Sequence, residues 1–323
     1  MTGLFLISLA PSQTWAQALL LVLGIVVVLL AADWLTNGSV GLARRMGVPQ
    51  IVIGLTIVAI GTSMPEFFVS LMSAINGTPD LAVGNIVGSN IFNALLIVGV
   101  AAMVTPITIL PSTVKKDIPV AVFASVLLMG MTLDGRISRI DAAILFVFFL
   151  AFIWLTLRGA KTGESTEDAQ TGRQLTVGKS IWFMLCGLIG LVVGSQVFVS
   201  NASALAHAIG ISDAVIGLTI VAGGTSLPEL ATSVVAAKKG NSGIAIGNVL
   251  GSNVFNILMI LGVTGLIQPM TITGITMVDL AMMVVSMVLL WLFSFTKYRI
   301  QRWEGVVLTV VFVGYLSWLI VNA

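Results

Sequence analysis

Glu66 and Glu229 are acids set inside long apolar stretches, each closing the same short string, Gly-Thr-Ser-x-Pro-Glu. An ionised carboxylate at the centre of a bilayer costs about 2.5–3.5 kcal/mol even on lenient insertion scales, so something must compensate it. The flanking residues show what could. Pro65 and Pro228 lack an N–H and crowd the carbonyl four residues earlier, that of Gly61 or Gly224. With Thr62-Ser63 and Thr225-Ser226 alongside, the backbone can open there and present carbonyl and hydroxyl oxygens. Irregular backbone at that depth is tolerated only inside protein or against a cavity.

The next apolar stretch carries a second polar stripe. Asn85, Ser89 and Asn93 recur at i, i+4 and i+8 and so share one helix face, and Asn248, Ser252 and Asn256 repeat the pattern. The pairs Gly84/Gly88 and Gly247/Gly251 on the same stretches permit close helix approach. On the broken helix, Ala59, Thr62, Ser63, Glu66, Ser70 and Ser73 fall on one flank. All these candidate ligands are oxygen, which suits a hard cation, whereas the chain has one cysteine and one histidine to offer zinc or copper. Calcium takes 6–8 such oxygens in an adaptable shell, while magnesium holds its waters and demands a tight octahedron. Two facing carboxylates in low dielectric repel when the site is empty. One divalent cation neutralises them, as do two monovalent ones. A carrier that can change sides only when neutralised is an obligatory exchanger.

The elements that must position these residues are membrane helices. Of 323 residues, 58% are apolar and 9% charged, with mean hydropathy +1.10; soluble domains are about a quarter charged. The net charge of +2 gives no concentrated basic patch for nucleic acid. Runs such as ALLLVLGIVVVLLAA do not alternate as barrel strands do. No Lys or Arg precedes Arg44, so the first apolar stretch reads as a retained helix, about Trp15–Leu35. Nine more follow, at about 48–75, 81–104, 118–133, 142–157, 181–199, 214–237, 244–267, 277–295 and 306–321.

A duplication organises them. Gly54–Val100 aligns without a gap on Gly217–Val263, a shift of 163 residues, with 26 of 47 positions identical. The expected fold is an all-α polytopic membrane protein: ten transmembrane helices as two inverted five-helix repeats with broken helices at the midplane. The first repeat would cover 1–158, a cytoplasmic linker 159–178 and the second repeat 179–323. An odd number of spans per repeat forces opposite orientations. The basic residues agree, since all but Arg136 and Arg139 of the 15 fall on one side. The positive-inside rule makes that side cytoplasmic and puts both termini outside. Inverted repeats around a midplane site are a recurrent transporter plan.

The paired G-T-S-x-P-E and G-N-x-x-G-S-N-x-F-N motifs, equally spaced in both halves, resemble the sodium/calcium exchanger family of the cation/calcium exchanger superfamily. The resemblance covers nearly the whole chain. It implies a ten-helix antiporter of the cell (inner) membrane, complete in one chain, that needs no cofactor and carries Ca2+ and Na+ alternately. Glu66 and Glu229 then look like the central shared ligands. Thr62, Ser63, Thr225, Ser226, Ser89 and Ser252 resemble the flanking ones. Ala59 and Ala222 would give carbonyls, and Asn93 and Asn256 amides. Spans one and six would slide across the core. Several family members carry Asp where this chain has Asn256, which leaves two acids in the cluster and weakens a potassium-coupled reading.

Other readings of the same residues are a proton- or potassium-coupled cation exchanger of this fold, and a channel in which the two acids form a selectivity ring. An intramembrane enzyme lacks support, since no nucleophile–base motif falls in the spans. His207 reads as an outer-loop residue, Cys186 as a small apolar side chain, and Asp279 as a residue near a span end. Asp80 faces outside as a weak attractor of cations.

Overall fold

The computed structural model of the chain describes residues 11, 13–160, 175–209 and 222–322. Its helices are α1 (Thr14–Met46), α2 (Gln50–Thr62), α3 (Met64–Ile75), α4 (Pro79–Val104), α5 (Pro111–Asp134) and α6 (Arg139–Gly159) in the first half. In the second are α7 (Val177–Ala208), α8 (Ala222–Thr225), α9 (Leu227–Lys238), α10 (Ser242–Ile267), α11 (Met277–Ser294) and α12 (Arg302–Val321). Among the described residues, eight single helices are long and apolar enough to cross a membrane, and the bent pair α2–α3 makes a ninth. The span expected at 214–237 begins outside the described residues, as does most of the 159–178 linker; α8 and α9 are that span's described part.

Proline sets both breaks. The α2–α3 pair bends by 47° at Ser63 (φ −85°, ψ 8°), with Pro65 in the first turn of α3. Ser226 (φ −87°, ψ 7°) separates α8 from α9 in the same way, with Pro228 following. Among the described residues three wide-turn π-helical segments, Gly54–Val58, Phe92–Ile97 and Phe255–Ile260, interrupt α2, α4 and α10. Such bulges favour functional sites.

Burial ranks the helices. The apolar stretch of α10 is 94% buried and that of α4 72%, against 17% for α6 and α12, so α4 and α10 form the middle and α6 and α12 the rim. Glycine lets the middle close. A methyl added to Gly247 would lie 2.8 Å from the Ile51 carbonyl and 3.0 Å from the Gly54 Cα, which places the α2 and α10 backbones in contact.

α1 and α7 run well past the expected Leu35 and Val199, to Met46 and Ala208. At 1.5 Å per residue, 33 residues span about 50 Å against about 30 Å of hydrocarbon, so α1 must tilt or project. The extra turns carry small and polar residues that lower hydropathy while staying buried, among them Thr36, Gly38, Ser39 and Gly41. His207, expected in a loop, lies in the last turn of α7.

Two small ribbons join the halves. β1 (Ile107–Thr108) pairs antiparallel with β4 (Arg299–Ile300), and β2 (Arg136–Ile137) with β3 (Met270–Thr271). Near the first, the Thr108 amide donates to Ser242 Oγ (3.2 Å). Near the second, Asp80 accepts from the amides of Thr273 and Gly274, both at 2.8 Å, and from Thr273 Oγ1 at 2.9 Å. Asp80 is therefore a loop clamp rather than a cation attractor. Asp279 is not left to hydration either: it completes a capping box with Thr276 and accepts from the Tyr315 hydroxyl at 2.6 Å.

The Gly247 contact makes a direct prediction. Gly247→Ala should lower stability by about 1–3 kcal/mol, as overpacking does, read as a lower thermal unfolding midpoint in detergent. Gly130→Ala, where nothing approaches within 4 Å, is the matched control.

Candidate cation-binding site

The helix breaks deliver their acids to the centre. Glu66 and Glu229 stand in the first turns of α3 and α9, and each is 1% exposed. The two halves interlock through them. Ser63 Oγ donates to Glu229 Oε1 at 2.8 Å, and Ser226 Oγ donates to Glu66 Oε1 at 3.0 Å. Each serine at a break thus holds the acid of the other half. Ser226 Oγ also lies 3.1 Å from Ser89 Oγ, and Ser252 Oγ donates to Glu229 Oε1 at 3.4 Å.

The polar stripes of α4 and α10 face this centre. Asn85 Nδ2 donates to the Glu66 carbonyl (3.3 Å) and to Ser70 Oγ (3.0 Å). Asn248 Nδ2 repeats both bonds, to the Glu229 carbonyl (3.3 Å) and Ser233 Oγ (3.0 Å). These asparagines hold the backbone on which the acids are mounted. Thr62 Oγ1 donates to Asn248 Oδ1 at 3.0 Å. Asn93 Nδ2 donates to Asn253 Oδ1 (2.9 Å) and Asn256 Nδ2 to Asn90 Oδ1 (3.1 Å).

Of the twelve candidate ligands, six form two matched hydrogen-bonded trios, Ser63, Ser252 and Glu229 in one and Ser226, Ser89 and Glu66 in the other. Thr62, Asn93 and Asn256 are buried beside the helices that carry them, each about 1% exposed. Thr225 closes α8, next to Ser226. Ala59 is fully buried, but its carbonyl already accepts from the Ser63 amide at 3.0 Å, with Thr62 Oγ1 at 3.4 Å. Ala222 is the first residue of α8.

What the set lacks is a partner for its outward atoms. Glu66 Oε2, Glu229 Oε2, Asn93 Oδ1 and Asn256 Oδ1 are buried without a hydrogen-bond partner. All four are acceptor atoms, and they come in two pairs that the 163-residue shift relates. A buried carboxylate oxygen left unpaired is costly, and oxygens of these types are the ligands that a hard cation takes. Among the described residues no group of three or more His, Cys, Asp or Glu clusters elsewhere to hold a metal.

Sequence reasoning passed over Asn90 and Asn253 as ligands or supports. Each is fully buried, and each accepts from the candidate ligand of the opposite half. The signal was available, since both stand in the duplicated G-S-N string three residues before Asn93 or Asn256.

The family described as sodium/calcium exchanger protein matches residues 16–158 and 179–321. The inner membrane protein YrbG of Escherichia coli is 40% identical over 260 residues, 77% of this chain and 79% of its own length. The sodium/calcium exchanger MaX1 of Methanosarcina acetivorans is 33% identical, covering 92% of this chain and 97% of its own. A structure of the sodium-calcium exchanger NCX_Mj, soaked with 2.5 mM Na+ and 0.1 mM Ca2+, superposes with a TM-score of 0.82. It is 33% identical, over 94% of this chain and 98% of that one.

The unpartnered oxygens predict that a cation stabilises the protein. Calcium at a hundred times its dissociation constant should add about 2.7 kcal/mol, seen as a raised unfolding midpoint in detergent. The rise should vanish in Glu66→Gln and in Glu229→Gln.

Proposed function

The chain belongs to the sodium/calcium exchanger family, and from that membership and the central site we propose that it is a secondary active antiporter exchanging Na+ for Ca2+ by alternating access. The observation that carries the proposal is the quartet of buried oxygens, Glu66 Oε2, Glu229 Oε2, Asn93 Oδ1 and Asn256 Oδ1, that have no hydrogen-bond partner among the described residues. Such a set suits a cation and no neutral or anionic cargo. Its two formal negative charges are matched by one Ca2+ or by two Na+.

Glu66 and Glu229 are the shared ligands in this reading. Ser63, Ser226, Thr62, Thr225, Ser89 and Ser252 complete the shell, with backbone carbonyls of Ala59 and Ala222 at its edge. The acids sit in helix first turns, where exposed N–H groups help hold a carboxylate while the site is empty. An empty site keeps two repelling charges in low dielectric, so reorientation without cargo is disfavoured. That penalty couples the two ions.

The moving elements are α1 and α7. A methyl added at Gly187 would lie 2.8 Å from the Ala31 carbonyl, and one at Gly24 would lie 2.9 Å from the Phe198 amide nitrogen. Contact this close supports their travelling as a pair across α4 and α10. Ten membrane helices in two inverted five-helix repeats, 1–158 and 179–323 with a linker at 159–178, complete the reading. The double match of the family over 16–158 and 179–321 supports the division. Both termini then lie outside and the linker inside. The ribbons support these sides, because each joins loops that the basic-residue count places together.

Transport is tested with radiolabelled calcium and sodium-loaded proteoliposomes. Uptake should occur in sodium-free buffer, vanish in sodium-matched buffer, and fall at least about a hundredfold in Glu66→Gln or Glu229→Gln, the scale of breaking a buried charge site. Uptake indifferent to sodium overturns the coupling; if a pH gradient then drives it, the exchange is with protons. For the sides, a Cys186→Ser background carries Asn76→Cys or Lys239→Cys. Impermeant maleimide on intact cells should label the first and spare the second.

A further inference from the structure

We infer that Asn90 and Asn253 are positioning residues that fix which end of the Asn93 and Asn256 amides faces the cation. A backbone carbonyl can only accept a hydrogen bond, and this starts the argument. Asn90 Nδ2 points at the Asn253 carbonyl and Asn253 Nδ2 at the Asn90 carbonyl, each at 3.3 Å. Neither amide can turn over without setting oxygen against oxygen. Asn253 Nδ2 also lies 3.1 Å from Met287 Sδ, a second acceptor on the same end.

With their nitrogens pinned, Asn90 and Asn253 must present Oδ1 on the other side. There each receives the Nδ2 of a residue from the opposite half: Asn256 at 3.1 Å and Asn93 at 2.9 Å. Those two amides are therefore pinned in turn, and their remaining atoms are the unpartnered Oδ1 atoms. The polarity of two backbone carbonyls is relayed through two amides to the site. Reversed, Asn93 and Asn256 would aim N–H groups at a cation. All four residues are at most 1% exposed, so no solvent competes for their hydrogen bonds. Rotation of a free asparagine swaps N for O at little steric cost, which is why a neutral ligand of this kind needs a fixed neighbour and a carboxylate does not.

This rests on the cation-site reading above, and the test separates the two. Calcium binding is measured by calorimetry on purified protein in detergent for wild type, Asn90→Leu, Asn256→Asp and the double variant. Leucine keeps asparagine's branching and removes its polar atoms, so the relay is cut with the side-chain shape nearly retained. Asn90→Leu should weaken calcium about tenfold, the upper scale of a lost hydrogen bond between neutral groups. The same change in the Asn256→Asp background should cost less than about twofold, because a carboxylate offers oxygen at either end. A purely structural Asn90 would cost the same in both backgrounds, and that result overturns the relay. Wild-type protein that binds no calcium overturns the cation site itself and the relay with it. Asn253→Leu with Asn93→Asp runs the same cycle from the other half if Asn90→Leu does not fold.

Discussion

Two carboxylates buried at the centre of an apolar bundle are the constraint on which the rest of the structure depends. Among the described residues neither Glu66 nor Glu229 is paired with lysine or arginine. The protein instead gives each acid one serine hydroxyl from the opposite half and leaves its second oxygen bare. That is enough to orient a carboxylate and too little to satisfy it. The serines stand at the helix breaks, so one proline-induced bend places both an acid and the clamp for its counterpart.

In the proposed site, duplication is what would surround one ion with oxygens from a single chain. Each half supplies one acid, a break and an amide stripe, and the hydrogen bonds recur in exchanged pairs. Asn85 and Asn248 hold the carbonyls of Glu66 and Glu229 at the same 3.3 Å. Close backbone approach makes this possible. Without side chains at Gly54 and Gly247 the helices α2 and α10 meet directly, and the asparagine amides reach across. The outermost helices, α6 and α12, have no such duty and present mostly apolar surface.

The acids, breaks and central helices were legible because each follows from local chemistry. An acid in an apolar run, a proline four residues past a glycine and a period-four polar stripe all announce themselves. The lengths of α1 and α7 were not legible, since the turns beyond the expected ends bury Thr36, Ser39 and Asn201 against other helices rather than lipid, and hydropathy scores those residues as an end. The π-helical segments escaped for a related reason. Phe92–Ile97 and Phe255–Ile260 carry no glycine or proline to mark a widened turn. Asn90 and Asn253 escaped because an asparagine on a packed helix is ordinarily adhesive. Their role depends on partners 160 or more positions away, which no local pattern encodes.

The core is nearly twofold and the rims are not. Asn37 Nδ2 donates to Asp33 Oδ2 at 3.0 Å on α1, and Lys239 Nζ joins them, 2.5 Å from Asp33 Oδ1 and 2.8 Å from Asn37 Oδ1. The 163-residue shift carries Asp33 to Gln196, Asn37 to Ser200 and Asn76 to Lys239. In α7 the same i, i+4 contact survives as Gln196 Nε2 to Ser200 Oγ at 3.3 Å, with no charge. The exchanged hydrogen bonds impose symmetry on the centre, since each half holds the acid of the other. Membrane insertion imposes asymmetry on the rims, because basic residues collect at one face. A duplicated gene can meet both demands only by keeping its buried polar residues identical and letting the charges at its helix ends diverge, and the identities cluster accordingly in the G-T-S-x-P-E and G-S-N-x-F-N strings.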